Sequence, residues 1–299
     1  MAIAAYASLL DAVRGVRWPA RGPVAAAPPG SHHSRLRGSS AEFAEYRPYR
    51  QGDDPRRIDW KLLARSDRAS IRLATERAVL PTTIIIDASA SLAFPEATLG
   101  KWLLAKQVAA GLASAAHASA DPVGLVVVAH DGVHTLAPRT RHGVVGDMMR
   151  VLEGTAPRGT TPLAGSVRAA HDIPRIAIIT DLLGDADATL AAARVHRAKG
   201  GEVHLVHVVA AEELDPPAGA RLATDPEDDR VERALTDSTR EGYLAAFGAW
   251  RAEQADRWTA SGAQYHLAST ATPADRIVRQ VTDPRRVESS RTHAEGAHA

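Results

Sequence analysis

The residues of this chain best equipped for chemistry are Asp87-Ala88-Ser89-Ala90-Ser91, which follow the apolar run Thr83-Ile84-Ile85-Ile86. One carboxylate and two hydroxyls within five residues form an oxygen-only donor set, which suits Mg²⁺ or Mn²⁺ better than zinc. The same spacing also fits a turn that caps the next helix. A second carboxylate, Asp181, ends the apolar run Ile176-Ala177-Ile178-Ile179-Thr180. Between them lies Arg158-Gly159-Thr160-Thr161-Pro162-Leu163, where glycine permits a tight backbone and Thr161 precedes a proline-initiated helix, either as its N-cap or as a free hydroxyl.

A second stretch carries dense charge. Phe43 to Arg65 reads FAEYRPYRQGDDPRRIDWKLLAR, with Gly38, Glu42 and Glu76 outside it. Gly52-Asp53-Asp54-Pro55 is a turn, and Ile58, Trp60, Leu62 and Leu63 are apolar anchors around it. From Phe43 to Arg72 there are eight basic and five acidic residues, so the segment is only weakly cationic. Tyr46, Tyr49 and Trp60 have rings on which bases can stack, but the alternation of Arg and Asp fits an internally paired network better than a nucleic-acid surface.

Both stretches need a scaffold. From Leu80 onward apolar strands alternate with alanine-rich helices, the pattern of a parallel sheet flanked by helices. Strands are expected over 82–87, 121–129, 175–180, 202–209 and 264–268, with 133–137 returning antiparallel through Asp131-Gly132. Helices are expected over 4–16, 99–118, 143–152, 163–170, 186–199, 241–261 and 274–281, the second with a stripe of Trp102, Leu103, Val108, Leu112 and Ala115. Asp87 and Asp181 would then leave the sheet at its carboxyl edge, where open α/β folds bind ligands. Four segments follow: a helix and Pro/Gly linker over 1–30, the arginine-rich segment 31–80, the sheet domain 81–282 and a disordered tail 283–299.

Several functions are disfavoured by what is missing. The 299 residues contain no cysteine, so disulfides and thiolate chemistry are excluded, and 36 basic residues against 35 acidic ones give no overall field for nucleic acid or an anionic membrane. There is no phosphate-binding Gly-x-x-x-x-Gly-Lys-Ser/Thr, no Gly-x-Gly-x-x-Gly after a strand and no His-Glu-x-x-His. His204 and His207 lie in a strand-like run and read as structural. No stretch of about 18 apolar residues predicts a membrane span, and no basic leader precedes the first helix, so a cytoplasmic protein is expected.

Asp-x-Ser-x-Ser, then Thr-Pro-Leu, then a strand-ending Asp resembles the von Willebrand factor A fold over roughly residues 80–282. The resemblance implies a Rossmann-like, mostly parallel sheet flanked by helices, preceded here by the arginine-rich extension. It also implies a metal-ion-dependent adhesion site at Asp87, Ser89, Ser91, Thr161 and Asp181, with Thr160 as the alternative in the middle loop. Two carboxylates and three hydroxyls leave room in an Mg²⁺ or Mn²⁺ shell for a partner's acidic side chain. The upstream segment closely resembles the family called domain of unknown function 58, through Arg47, Tyr49, Gly52, Asp53, Asp54, Arg56 (or Arg57), Ile58, Asp59, Trp60, Ala64 and Arg65. That family implies a MoxR-type AAA+ ATPase as partner. The expectation is a non-enzymatic, metal-dependent protein-binding module; the alternatives are a Mg²⁺-dependent phosphoryl-transfer or hydrolytic enzyme and a metal-free scaffold.

Overall fold

A computed structural model describes residues 2–21, 29–51, 53–216, 223–224, 232–233 and 237–283. The chain divides into two compact units, one of Met1–Trp18 with Pro81–Ala299 and the other of Pro19–Leu80. In the first, helix α1 (Ala2–Ala12) buries Leu9, and Tyr6, Val13 and Trp18 are almost fully enclosed. These apolar side chains belong to the core of the larger unit.

The smaller unit pairs a long strand β1 (Pro29–Pro48) antiparallel with β2 (Ser70–Ala78), and a 3₁₀ turn and helix α2 (Trp60–Ser66) lie between them in the chain. These strands were not expected. Their register is broken by four irregularities, and period-two alternation is confined to short runs such as Ser70-Ile71-Arg72-Leu73. The expected disordered tail, apart from Asp283, lies outside the described residues, as does Gly52.

The larger unit is built on a central strand, β3 (Thr82–Asp87), every residue of which is buried. It is followed by α3 (Gly100–Ala118), β4 (Val123–Ala129), β5 (Gly132–Arg139), α4 (Val144–Gly154), α5 (Ala164–Ala169), β6 (Arg175–Thr180), α6 (Ala186–Ala198), β7 (Glu202–Val209) and α7 (Ala211–Leu214). Two-residue strands β8 (Ala223–Thr224) and β9 (Glu232–Arg233), helix α8 (Asp237–Ala260), β10 (Gln264–Ser269) and α9 (Ala274–Thr282) complete it. The six-stranded sheet runs β10-β7-β6-β3-β4-β5, parallel except for the edge strand β5. This is the mostly parallel sheet flanked by helices that the alternating pattern predicts.

Alternation along β3 sets the two layers of the core. Ile84 and Ile86 pack with α1, α3, α4 and α9, while Ile85 packs with α5, α6 and Trp258 of α8. At the amino end of β6, the fully buried Arg175 donates to Glu202 Oε2 at 3.0 Å and to the Trp18 carbonyl at 3.1 Å, with its guanidinium 4.6 Å from the Trp18 ring centroid. These contacts fasten Trp18 to the sheet. His204 and His207 are buried on β7, consistent with a structural reading: His204 lies edge-on to Trp18, and His207 Nδ1 is 2.7 Å from the Tyr265 hydroxyl.

Candidate metal centre

The chain runs from β3 to β4 on one side and later returns to place β6 on the other, so the strand order reverses beside β3. A crevice opens at the carboxyl ends of strands at such a switch point. Ile86 stands beside Ile179, and beyond that pair the two strands part, Asp87 staying in register with Val128 of β4 and Thr180 with His207 of β7. The Thr180 hydroxyl donates to Asp87 Oδ2 at 2.8 Å, and Asp181 follows directly.

Both carboxylates are buried, Asp87 4% and Asp181 2% exposed. Asp87 Oδ1 accepts the Ser89 N–H at 2.8 Å, which folds the loop back over the strand end. Neither Asp87 nor Ser89 caps α3. A 3₁₀ turn at Ala90–Ala93 intervenes, and α3 begins after Leu99 with no side-chain cap. The loop hydroxyls face each other instead, with Ser89 Oγ and Ser91 Oγ 3.0 Å apart. Neighbouring ligands on an octahedron with metal–oxygen bonds near 2.0–2.1 Å are also about 3 Å apart.

Thr161 is not an N-cap either. The N–H groups of Leu163 and Ala164, at the start of α5, donate to the two carboxylate oxygens of Asp185, each at 2.9 Å. Thr161 Oγ1 donates to the Ala129 carbonyl at 3.1 Å, which spends its proton and leaves its lone pairs free. The Gly159 carbonyl accepts the Ala90 N–H at 2.9 Å, and the Ala88 carbonyl accepts the Arg158 N–H at the same distance, tying this loop to the Asp87 loop. Thr160, Thr161, Asp87, Ser89, Thr180 and Asp185 line one cavity of about 220 Å³. Ser91 is fully buried beside it, and Asp181 is the residue between two lining positions.

The electrostatics fit a cation. Burial, then the nearby charge of Asp181, pushes the Asp87 carboxyl up to about 6, against the pull of hydrogen bonds from Thr180 and Ser89. Asp181 has a counter-ion already: Lys101 Nζ is 2.7 Å from its Oδ2 and 2.9 Å from Glu213 Oε1. Burial alone would lower the Lys101 pKa, but the two carboxylates outweigh it and hold it above its ordinary value. Among the described residues no three acidic or imidazole side chains gather to hold a metal by themselves, so the hydroxyls are essential to this donor set. The donor set fits Mg²⁺ or Mn²⁺, with Asp87, Ser89, Ser91 and Thr161 as the oxygens least committed to other cations.

Thr180, Asp185, Lys101 and Glu213 were missed by sequence reasoning. Lys101 had a signal. It is in register with Leu104, Ala105, Val108 and Leu112, the face of α3 that is buried, whereas the expected stripe residue Leu103 is 43% exposed. A lysine on a buried apolar face requires partners.

In the smaller unit the signature carboxylates are used locally. Asp53 accepts from Arg47 Nη2 and the Arg50 N–H, each at 2.8 Å. Asp54 caps the 3₁₀ turn through the Arg56 N–H. Asp59 caps α2 through Lys61 and Leu62 and accepts from the Tyr46 hydroxyl at 2.8 Å. Trp60 is 62% exposed, so it is not the expected apolar anchor, and Arg65 lies exposed in the last turn of α2. Tyr49 is half-buried and donates its N–H to the Ala69 carbonyl.

Fold and site together define a mostly parallel α/β protein with an oxygen-donor site at the carboxyl edge of its sheet. The chain belongs to the family described as protein of unknown function DUF58, which matches residues 45–253. Uncharacterized protein Rv1480 of Mycobacterium tuberculosis and uncharacterized protein Mb1516 of Mycobacterium bovis are each 28% identical over 270 residues, covering 86% of this chain and 84% of theirs. Among solved structures, an aerotolerance-related membrane protein from Bacteroides fragilis aligns over 68% of this chain and 98% of its own, at 19% identity and TM-score 0.45. BatB from Bacteroides thetaiotaomicron aligns over 68% and 96%, at 19% and 0.44, and the SpRpn10 VWA domain over 68% and 95%, at 10% and 0.37. Among the described residues no helix is long and apolar enough to cross a membrane.

Proposed function

We propose that this protein is a non-enzymatic binding module that holds Mg²⁺ or Mn²⁺ at Asp87, Ser89, Ser91 and Thr161, with Asp181 beside them. The bound ion would present an open coordination position to an acidic side chain of a protein partner. The observation that carries this reading is the buried Asp87 carboxylate next to two hydroxyl oxygens at octahedral spacing. The surroundings suit a protein ligand: Phe94 and Leu183, 38% and 43% exposed, come from the two loops that supply the carboxylates. An acidic residue flanked by apolar ones would meet both chemistries. Membership of the family supports a MoxR-type AAA+ ATPase as the partner, with the pair acting in remodelling or maturation of another protein.

The test is binding of the purified full chain to a MoxR-type ATPase from the same organism, in Mg²⁺ and in chelator. Complex formation in Mg²⁺ that is released by chelator, and is lost in Asp87→Ala and Asp181→Ala, supports the reading. Equal binding with and without chelator contradicts its metal-dependent form. Hydrolysis of nucleotides or phosphate esters that falls in Asp87→Asn would favour an enzyme instead. One observation favours a metal-free scaffold: the Lys101 ion pair already neutralises Asp181.

A further inference from the structure

Lys101 is a buried ionisable group of the larger unit that stands outside the proposed donor set. Its side chain is 1% exposed, yet it is charged and placed between two carboxylates, Asp181 directly after β6 and Glu213 on α7. Glu213 divides its oxygens: Oε1 accepts from Lys101 and Oε2 accepts the Ala210 N–H at 2.7 Å, closing the first turn of α7. The Glu213 carbonyl accepts from the Tyr243 hydroxyl of α8 at 3.1 Å. The ammonium group is therefore a bridge from the proposed metal loop to the segment after β7. A buried cation in contact with one carboxylate of a cation site competes with any ion that needs that carboxylate.

Resting on the metal reading above, we infer that Lys101 sets the affinity of the metal site by acting as the resident counter-ion of Asp181, and that Glu213 is the acceptor that retains it when a divalent ion claims Asp181. Lys101 is a positioning residue: it contacts Asp181 and acts on the ion only through that carboxylate. Its location explains how a site with two buried carboxylates folds without metal. It also makes α7 responsive to occupancy, because the lysine that shifts toward Glu213 alters the group that caps that turn.

The test uses the full chain, freed of metal with chelator, and Mn²⁺ alone as the probe, titrated calorimetrically into wild type, Lys101→Gln and Glu213→Gln. Removing a unit charge a few ångströms from the ion tightens Mn²⁺ binding in Lys101→Gln by at least about tenfold at an effective dielectric near 20. Glu213→Gln, in which Lys101 has only Asp181, binds more weakly than wild type. Hydrogen exchange at Ala211–Leu214 changes on Mn²⁺ addition in wild type and not in Lys101→Gln, a response that a purely structural ion pair would not give. Unchanged or weaker binding in Lys101→Gln, with wild type binding normally, overturns the inference and leaves the metal reading standing. Binding by Lys101→Gln alone upholds the inference and shows that the wild-type site is blocked. No binding by either folded protein overturns both. If Lys101→Gln does not fold, Glu213→Gln decides: weaker Mn²⁺ binding with loss of the α7 response upholds the inference, and unchanged or tighter binding overturns it.

Discussion

Asp87 bears the electrostatic cost of the site. Burial and Asp181 lift its pKa from 3.8 to about 6, so between these values the folded chain holds a proton that the unfolded chain has released. Stability of the metal-free protein therefore falls as pH rises through that window, and the penalty is complete above about pH 6. Replacing the carboxylate by an amide keeps an acceptor for Ser89 and removes the buried charge. Asp87→Asn is thus expected to stabilise the metal-free chain at pH 7 by about 1–3 kcal/mol, since each pKa unit is worth about 1.4, with the gain vanishing near pH 4. Denaturant melts in chelator check this, and an amide variant less stable than wild type at pH 7 would contradict it. The residues of the donor set were legible because Asp-x-Ser-x-Ser, Thr-Pro-Leu and a strand-ending Asp each have local sequence signatures. Lys101 was legible only as a lysine on a buried helix face, and its pairing with Glu213 was not, since 112 positions separate them and only the packed sheet brings them together.

At the level of elements, the site depends on bonds between loops that no local motif encodes. Asp185, from the loop before α6, supplies both acceptors for the start of α5 and so holds the Thr160-Thr161-Pro162 loop in place. Asp185→Ala leaves two N–H groups unmet and is expected to cost about 1–2 kcal/mol, and to weaken Mn²⁺ binding through a loosened Thr161. Thermal melts with and without Mn²⁺ separate the two effects, and unchanged stability would contradict the capping role. On the opposite side of the sheet, α3 and α9 approach closely at Gly111, where an added Cβ would stand 2.5 Å from Val278 Cγ2. Gly111→Ala is expected to destabilise by about 1–3 kcal/mol through overpacking, read as a lower denaturation midpoint. The parallel strands were legible because each is a continuous apolar run bounded by turns. β1 and β2 were not, because register irregularities and dense charge cut their alternation to runs too short to stand out, such as Ser70-Ile71-Arg72-Leu73.

The whole molecule places two chemistries on two compact units. The carboxyl edge of the sheet carries the candidate cation site, and the family signature shapes the smaller unit, where its aspartates cap turns and its exposed Trp60 stays available. A site formed at a reversal of strand order needs the entire sheet, which is why Asp87 and Asp181 meet although 94 positions separate them. The claim on which the functional reading depends is that this edge binds a divalent ion. Calorimetric titration of Mn²⁺ into the chelator-treated full chain and into its Asp87→Ala variant tests it most directly. One ion bound per wild-type chain and none by the variant is the expected result; no binding by the wild type, or equal binding by both, would overturn the metal site.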